Sequence, residues 1–317
     1  MESCSRRNFI RSTALGAITV SLFNGLSCTG MKEKNETDAR FKISLAEWSL
    51  HNAIFSGQLD HLDFTKKAAS FGIHAVEYVS QFFKDKVADA MYLAEMNKRA
   101  SDAGVKQLLI MVDGEGGLAE PDEKLRNETV DNHRKWVDAA KTLGCHSIRV
   151  NLFGSTLNRK DMHIAAVDGL SNLSVYALPL GINVIVENHG GLSSDGQWLS
   201  GVIDEVALSN CGTLPDFGNF CIEREGGVWN GEVPCIKVYD KYRGVEELMP
   251  HAKAVSAKSY DFDAEGNETT IDYSKMMDII KRSSYSGYIG IEYEGSRLSE
   301  DEGIIATKKL LEKLITV

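Results

Sequence analysis

The chain has 317 residues, of which 43% are hydrophobic and 25% charged, and its formal net charge is −10. This composition is that of an ordinary globular protein, and it excludes disordered, collagen-like and disulfide-framework chains. The length permits one large domain with additions or two smaller domains. The acidic excess, 45 Asp and Glu against 35 Lys and Arg, argues against a nucleic-acid partner, because proteins that hold a phosphate backbone need clustered basic side chains.

The N-terminal residues have the pattern of an export signal. Arg6 and Arg7 precede Phe9 and a short apolar stretch at 14–26, an order typical of a twin-arginine signal peptide. The apolar stretch is too short for a transmembrane helix, which needs about 20 residues. The alternative interpretation is a surface helix with a basic start.

Cys28 ends this segment. The four residues up to Cys28 are similar to a lipoprotein cleavage box, although Gly25 stands where a larger aliphatic residue is usual. Lipid anchoring through Cys28 and simple cleavage therefore both stay open. We predict a signal peptide at 1–28, a polar tether at 29–40 and a body at 41–317 that is exported to the periplasm, either free or lipid-anchored.

The body contains four cysteines, Cys145, Cys211, Cys221 and Cys235. The absence of a Cys-x-x-Cys pair argues against a structural zinc ribbon. Buried or free thiols are the expectation, and a disulfide between Cys221 and Cys235 across one loop is the alternative.

One unit recurs along the body. Gly72, Gly104, Gly144 and Gly181 each follow a helix-like stretch and precede a short β-branched run. Glycine just past a helix end adopts the left-handed conformation at little cost. The glycines recur about every 35 residues, which is the size of a βαβ unit.

Eight strands follow from this pattern, each with helical sequence after it. Near-continuous runs of Val, Ile and Leu suit parallel strands that are buried on both faces. The count and the length predict an α/β fold, a single-domain (β/α)8 TIM barrel. A doubly wound open sheet is the alternative, but no Gly-x-Gly-x-x-Gly follows the first strand to support a dinucleotide site. The predicted strands are 41–47, 75–79, 108–112, 147–150, 184–186, 212–216, 252–259 and 288–293.

A barrel of this kind has its active site at the carboxyl ends of its strands. Glu187, Asp216 and Glu292 close strands five, six and eight. A buried carboxylate is costly unless it is paired, protonated or metal-bound, and three that converge favour a divalent cation. The alternative is a structural network in which each carboxylate pairs with Arg149, Lys258 or another basic residue.

The motifs at these strand ends resemble the xylose isomerase-like barrel superfamily. The resemblance rests on Val-Glu-Asn at 186–188, Asp-Phe-Gly-Asn-Phe at 216–220, Ala-Lys at 257–258 and Gly-Tyr-Ile-Gly-Ile-Glu-Tyr at 287–293. It covers essentially 41–317. That group includes sugar (phosphate) isomerases and epimerases, inosose dehydratases and hydroxypyruvate isomerases, with endonuclease IV as a distant member.

The resemblance implies one divalent metal, Mn, Mg, Co or Zn, held by Glu, Asp, His and Glu from strands five to eight. Glu187, Asp216 and Glu292 match three of these ligands. Ser256 stands where the histidine ligand is usual, and Asn219 stands where a second histidine is often found. Both departures bear on metal affinity.

The resemblance also implies the roles of the catalytic groups. The metal polarises a sugar carbonyl, and Glu187 and Glu292 act as base and acid on the neighbouring carbon. Lys258 is expected to stabilise an oxyanion. His189 is expected to be a third acid or base, or to supply the missing imidazole ligand. Residues expected to bind the sugar, or to form a wall beside it, are Trp48, His51, Asn151, Asn219, Phe220 and Glu294.

The function that follows is a carbohydrate isomerase or epimerase, more an isomerase-class enzyme than a lyase. The alternatives are a keto-sugar (3-keto-glycoside) lyase or dehydratase on the same site, and a barrel that binds saccharides without turnover. An abasic-site endonuclease is disfavoured by the negative charge, the export signal and the lack of its many histidine ligands. Export also favours a free or 3-keto sugar over a sugar phosphate. A homo-oligomer is compatible with the sequence.

Overall fold

Eight parallel strands form the wall of a barrel, and helical chain follows each of them. The computed structural model describes residues 39–155, 158–227 and 233–316, so the predicted export signal and Cys28 lie outside the described residues. Residues from Arg40 onward form one compact unit. Within the described ranges, no helix combines the length and the apolar character needed to cross a bilayer.

The strands are numbered in chain order and include a two-stranded insertion, β7 and β8, between the sixth and seventh strands of the barrel. The strands are β1 (Phe41–Ala46), β2 (Ala75–Val79), β3 (Lys106–Met111), β4 (Ser147–Val150), β5 (Asn183–Glu187), β6 (Cys211–Leu214), β7 (Cys221–Arg224), β8 (Cys235–Val238), β9 (Val255–Ser259) and β10 (Gly287–Tyr293). The helices are α1 (His51–Phe55), α2 (Phe64–Ser70), α3 (Ala90–Asp102), α4 (Glu123–Thr142), α5 (Arg159–Ala177), α6 (Gly196–Val206), α7 (Lys241–Leu248), α8 (Tyr273–Arg282) and α9 (Glu300–Ile315).

Most of the helices begin at a polar side chain that caps the first turn. A carboxylate, amide or hydroxyl oxygen placed there accepts a backbone N–H that has no partner inside the helix, and this fixes where the helix starts. Seven α-helices are capped in this way, by Asp89, Asp122, Asn158, Asp195, Asp240, Asp272 and Ser299.

The glycines predicted to end the helices are found at the C-terminal ends of the helical segments. Gly72, Gly104, Gly144 and Gly181 all have positive φ angles, between 64° and 72°. Each therefore terminates a helix in the left-handed region that a residue with a Cβ enters only at a cost. The helix–Gly–strand unit predicted from the sequence is confirmed.

The strands pair in parallel in the order β6-β5-β4-β3-β2-β1-β10-β9. The first and last strands of the chain are neighbours, with Phe41 opposite Gly287. Between β6 and β9 the pairing is reduced to two isolated parallel bridges, Thr213 with Ala252 and Asp216 with Ser256. These bridges bring the two ends of the sheet together, so the (β/α)8 prediction is confirmed and the open doubly wound alternative is wrong.

Apolar side chains fill two layers. The larger layer lies between the sheet and the helices and contains the fully buried Trp136 of α4. The smaller layer fills the inside of the barrel with alternate residues of the strands, and Trp48 and Phe82 pack against it. The members of the inner layer are Ala46, Val79, Leu109, Met111, Ile185, Leu214 and Ala254.

The antiparallel hairpin of β7 and β8 was not predicted. Each of its strands has only four residues, too few to show an alternating pattern. A disulfide joins Cys221 to Cys235, whose Cα atoms are 5.9 Å apart, so the expectation of free thiols at these two positions is wrong. Cys145 and Cys211 are free and buried, in line with that expectation.

Candidate active site

Three buried carboxyl groups meet at the carboxyl ends of the barrel strands. Glu187 is the last residue of β5, Asp216 lies two residues beyond β6, and Glu292 is in β10. One oxygen of each lies within 4.8 Å of the others, and the residues are only 1%, 0% and 4% exposed. We call these three residues the carboxylate cluster. Within the described ranges it is the one group with this geometry, and His189 is not a member of it.

Asp216 is held at its carboxylate by its own loop and at its backbone by Asn188, which directly follows β5. Its Oδ1 accepts hydrogen bonds from the backbone N–H groups of Gly218 and Asn219, both at 2.8 Å. The side chain of Asn188 clamps its backbone, because Nδ2 donates to the Asp216 carbonyl at 3.0 Å and Oδ1 accepts the Asp216 N–H at 2.7 Å. The loop after β6 therefore holds one carboxylate oxygen and leaves Oδ2 to face the cluster.

Ser256 joins two members of the cluster. Its Oγ lies 2.6 Å from Oδ2 of Asp216 and 2.8 Å from Oε2 of Glu292. A hydroxyl has one hydrogen to donate, so it satisfies both contacts only when one of the two carboxyl groups carries a proton and donates in turn. Burial raises the pKa of Asp216 to about 6 and also raises the pKa of Glu292, which favours that protonated state.

Glu187 is held by a different set of partners. Asn219 Nδ2 donates to its Oε1 at 2.9 Å. Arg149 Nε lies 2.9 Å from Oε2, but the approach lacks hydrogen-bond geometry and leaves both atoms without a hydrogen bond. Arg149 also donates to Oδ1 of Asp113 at 2.7 Å, and Asn151 Nδ2 donates to the same oxygen at 2.6 Å. Burial opposes ionisation of Asp113, but the charge of Arg149 outweighs it and lowers the pKa of Asp113 to about 2.

Lys258 is a buried cation between two glutamates. Its Nζ lies 3.4 Å from Oε1 of Glu292 and 3.2 Å from Oε1 of Glu294. Burial disfavours the ammonium, but these carboxylates together raise the pKa of Lys258 well above its ordinary value. Burial opposes ionisation of Glu294, but the charge of Lys258 lowers the pKa of Glu294. Lys258 therefore stays charged beside the cluster.

Glu77 is a further buried carboxyl group below the cluster. Ser44 Oγ donates to its Oε1 at 2.6 Å, while Oε2 has no hydrogen bond. Burial raises the pKa of Glu77 to about 7, and the charges of Glu292 and Glu187 add to that rise. No sequence pattern predicts that this carboxyl group in β2 stays neutral.

His189 lies beside the cluster. Its backbone N–H donates to Ser193 Oγ at 3.1 Å. Burial lowers the pKa of its imidazole, while Glu187 acts in the opposite direction and Arg149 reinforces the lowering. The ring is therefore neutral near pH 7, which suits a proton carrier more than a fixed cation.

Aromatic side chains line one side of the mouth. Trp48 stacks on His51, with ring centroids 4.7 Å apart, and on Phe82 at 6.1 Å. Phe220, which was expected in this wall, is instead 2% exposed and packs against Gly244 of α7, so that expectation is wrong. Phe82 was missed, because an aromatic residue three places beyond the end of β2 carries no signal in the sequence.

The charge balance around the cluster fits a divalent cation. Two cations, Arg149 and Lys258, face a larger number of carboxyl groups, so the site keeps a negative excess that a cation would neutralise. The cluster and Ser256 offer oxygen donors without an imidazole or a thiolate, a set that suits hard ions such as Mg²⁺ or Mn²⁺. The carboxyl groups in this count are Asp113, Glu187, Asp216, Glu292 and Glu294.

This protein is a closed parallel TIM barrel whose buried ionisable groups lie at the carboxyl ends of the strands, which is where TIM-barrel enzymes have their active sites. The model of the xylose isomerase-like TIM barrel family matches residues 65–314. The chain therefore belongs to the xylose isomerase-like TIM barrel family.

Solved structures share the fold at low sequence identity. A D-psicose 3-epimerase in the presence of D-fructose has a TM-score of 0.64 and 12% identity, and covers 87% of this chain and 100% of its own. The IOLI protein with a zinc atom has a TM-score of 0.64 and 15% identity, covering 87% and 98%. A sugar phosphate isomerase/epimerase from Parabacteroides distasonis has a TM-score of 0.64 and 14% identity, covering 87% and 95%. No curated protein matches the chain.

Proposed function

We propose that this protein is a carbohydrate isomerase or epimerase that moves a proton on the carbon next to a sugar carbonyl. The observation that carries the proposal is the carboxylate cluster, in which two glutamates from different strands lie within 4.8 Å of each other, next to a buried ammonium group. The family and its sugar-epimerase neighbours support the same class of reaction.

Glu187, Asp216 and Glu292 would hold a divalent metal, which when bound polarises the carbonyl and the adjacent hydroxyl of the sugar. Ser256 would lie against that group, because its Oγ contacts both Asp216 and Glu292.

The two glutamates of the cluster would exchange the proton. One carboxylate takes the proton from the carbon, and the C–H electron pair moves to the carbonyl to give an enediolate. For epimerisation, the second carboxyl group returns a proton to the opposite face. For isomerisation, the carboxyl group that took the proton returns it to the neighbouring carbon, while the proton of the adjacent hydroxyl moves to the former carbonyl oxygen, so that no proton is gained or lost overall. Glu187 and Glu292 suit this exchange because they come from β5 and β10, which are separated in the sheet by β6 and β9.

The neighbouring side chains would orient and stabilise the reacting groups. Lys258 stabilises the negative charge of the enediolate oxygen, since its ammonium group already lies 3.4 Å from Glu292. Asn219 holds one oxygen of the Glu187 carboxylate by a hydrogen bond, and the guanidinium of Arg149 lies 2.9 Å from the other oxygen. His189, whose imidazole is neutral, would carry protons between the cluster and solvent.

The substrate would be a free or 3-keto sugar. This follows from the predicted twin-arginine export, since sugar phosphates seldom occur outside the cytoplasm. In this proposal the protein works in the periplasm, either free or anchored through a lipid on Cys28.

The experiment is hydrogen exchange on the substrate. Purified protein, supplied in turn with Mg²⁺, Mn²⁺, Co²⁺ or Zn²⁺, is incubated with candidate keto-sugars in deuterated water, and loss of the C–H signal is followed by NMR. We expect exchange in the presence of metal, and a decrease of about 10²- to 10⁴-fold in Glu187→Gln and Glu292→Gln. Glu128→Gln, an exposed carboxyl group on α4, is the control and should leave exchange unchanged.

Two outcomes would contradict the proposal. Saturable sugar binding without exchange for any keto-sugar would make the protein a saccharide-binding barrel. Exchange that is unaffected by both glutamine variants would place the chemistry elsewhere. Metal analysis of the wild type and of a further variant, Asp216→Asn, tests the cluster directly, because Asp216→Asn should release the bound ion.

A further inference from the structure

Three aromatic side chains form a group at the mouth of the barrel beyond the carboxylate cluster. Trp48 and Phe82 stack with ring centroids 6.1 Å apart, Phe55 meets Trp48 edge-on at 6.1 Å, and Phe55 lies 5.1 Å from Phe82. We call these residues the aromatic rim. Phe55 is 61% exposed, so the rim presents an apolar surface to solvent.

Two of the three rim residues pack against the interior of the barrel. Trp48 is in the short turn directly after β1, Phe82 is in the equivalent turn after β2, and Phe55 ends α1. Trp48 and Phe82 pack against the inner layer of the barrel, which includes Ala46 and Val79. The rim therefore lies at the carboxyl end, over the interior, where a ligand bound at the cluster would leave the barrel.

Charged side chains continue the cluster towards the mouth of the barrel. Lys258 contacts Glu292 at 3.4 Å and Glu294 at 3.2 Å, and Glu294 directly follows β10, at the same end of the barrel as the aromatic rim. A ligand that spans the cluster and the rim would be polar at the cluster and have a flat apolar face at the rim.

Polar groups also border the rim. His51 stacks on Trp48 with an interplanar angle of 12°, and its Nδ1 lies 3.7 Å from Glu300. An apolar surface with polar edges suits an amphipathic six-membered ring better than a lipid chain or a purely apolar partner. Exposed contiguous aromatic surface next to a site of this kind marks a binding region.

We propose that the aromatic rim is a second subsite, which binds the ring attached to the reacting sugar. The preferred substrate is then a keto-sugar that carries a second ring through a glycosidic bond, either another sugar or a phenolic group, with the carbonyl on the ring at the cluster. This proposal rests on the proposed function in one respect, that the reacting sugar occupies the carboxylate cluster. The subsite consists of Phe55 and Phe82 as the open surface, with Trp48, which packs against the inner layer of the barrel, as its inner edge.

Binding measurements test the subsite without requiring turnover. Isothermal titration calorimetry on the metal-loaded protein compares glucose, cellobiose and phenyl β-glucoside, which separate a sugar from a phenolic occupant. We expect at least one of the two glycosides to bind about tenfold more tightly than glucose. Phe55→Ala and Phe82→Ala should each remove most of that advantage and leave the affinity for glucose unchanged.

One test variant and one control variant separate loss of the subsite from loss of the fold. Phe55 is largely exposed, so Phe55→Ala tests the subsite without threatening the fold. Met91→Ala, which removes an 84% exposed apolar side chain from α3, is the control and should keep the full advantage. Equal affinity for glucose and both glycosides, or an advantage that survives both phenylalanine variants, would overturn the subsite.

Failure of the subsite and failure of the proposed function are distinguishable. If free keto-sugars exchange hydrogen while glycosides bind no better than glucose, the reaction stands and the subsite is refuted. If no sugar exchanges hydrogen but the glycoside advantage depends on Phe55, the subsite stands and the reaction is refuted.

Discussion

The buried carboxyl group of Glu77 should make the stability of the protein depend on pH. Burial raises its pKa in the folded protein from the ordinary 4.5 to about 7. Below pH 4.5 the group is protonated in both the folded and the unfolded state, and the folded protein bears no penalty. As the pH rises towards 7, the unfolded state releases this proton while the folded state keeps it, so stability falls and then levels off above the folded pKa.

The size of the effect follows from the shift. A rise from 4.5 to about 7, at 1.36 kcal/mol per pKa unit, corresponds to about 3 kcal/mol in total. About 2.5 kcal/mol of that loss falls between pH 5 and pH 8. Glu77→Gln removes the titration, because an amide stays neutral and still accepts the hydrogen bond from Ser44. Its unpartnered N–H groups lower stability by an amount that does not vary with pH, so the readout is the pH dependence and not the absolute stability.

Urea unfolding in the presence of a metal chelator measures this difference. Stability is determined at pH 5, 6, 7 and 8 for the wild type, Glu77→Gln and the control Glu128→Gln, whose carboxyl group is exposed. We expect the wild type and the control to lose about 2.5 kcal/mol more than Glu77→Gln between pH 5 and pH 8. Parallel pH profiles for the wild type and Glu77→Gln would refute the assignment of a neutral Glu77.

Three further predictions concern packing, the cluster and the hairpin. Gly244→Ala should lower the free energy of unfolding by about 1–3 kcal/mol, because the added Cβ would lie 2.1 Å from a buried phenylalanine ring. Gly201→Ala, in a helix where the nearest atom is 3.9 Å away, should instead stabilise by up to about 1 kcal/mol, and thermal unfolding of both compares them. Ser256→Ala should cost about 1–3 kcal/mol in chelator, measured by urea unfolding, because two buried carboxyl groups lose the hydroxyl between them. Alkylation of denatured, unreduced protein should leave Cys221 and Cys235 unmodified in the mass spectrum until a reductant is added.

The repetitive parts of the fold could be predicted from sequence because they depend on local rules. A glycine such as Gly104 ends a helix by its own conformational freedom, and the buried run after it satisfies the strand pattern without help from distant residues. Parallel strands then place their carboxyl ends together, so the meeting of Glu187, Asp216 and Glu292 follows from topology.

The partners of the site residues could not be predicted in the same way. Asn219 reaches Glu187 because the turn after Asp216 is fixed by backbone hydrogen bonds, and no strand period specifies that turn. At Ser256 the sequence shows that an imidazole is missing, but only the structure shows that the hydroxyl contacts two carboxyl groups. The neutral state of Glu77 depends on charges contributed by other strands.

The incomplete pairing between β6 and β9 has a mechanical consequence. One of its two bridges joins Asp216 to Ser256, which are also joined through their side chains. Residues of the proposed metal site therefore close the barrel where its strands are least paired, and a ligand that binds both residues would also stabilise the closed barrel. Because few backbone bonds cross this joint, the connection between the two strands can accommodate extra chain, and here it carries the disulfide-linked hairpin.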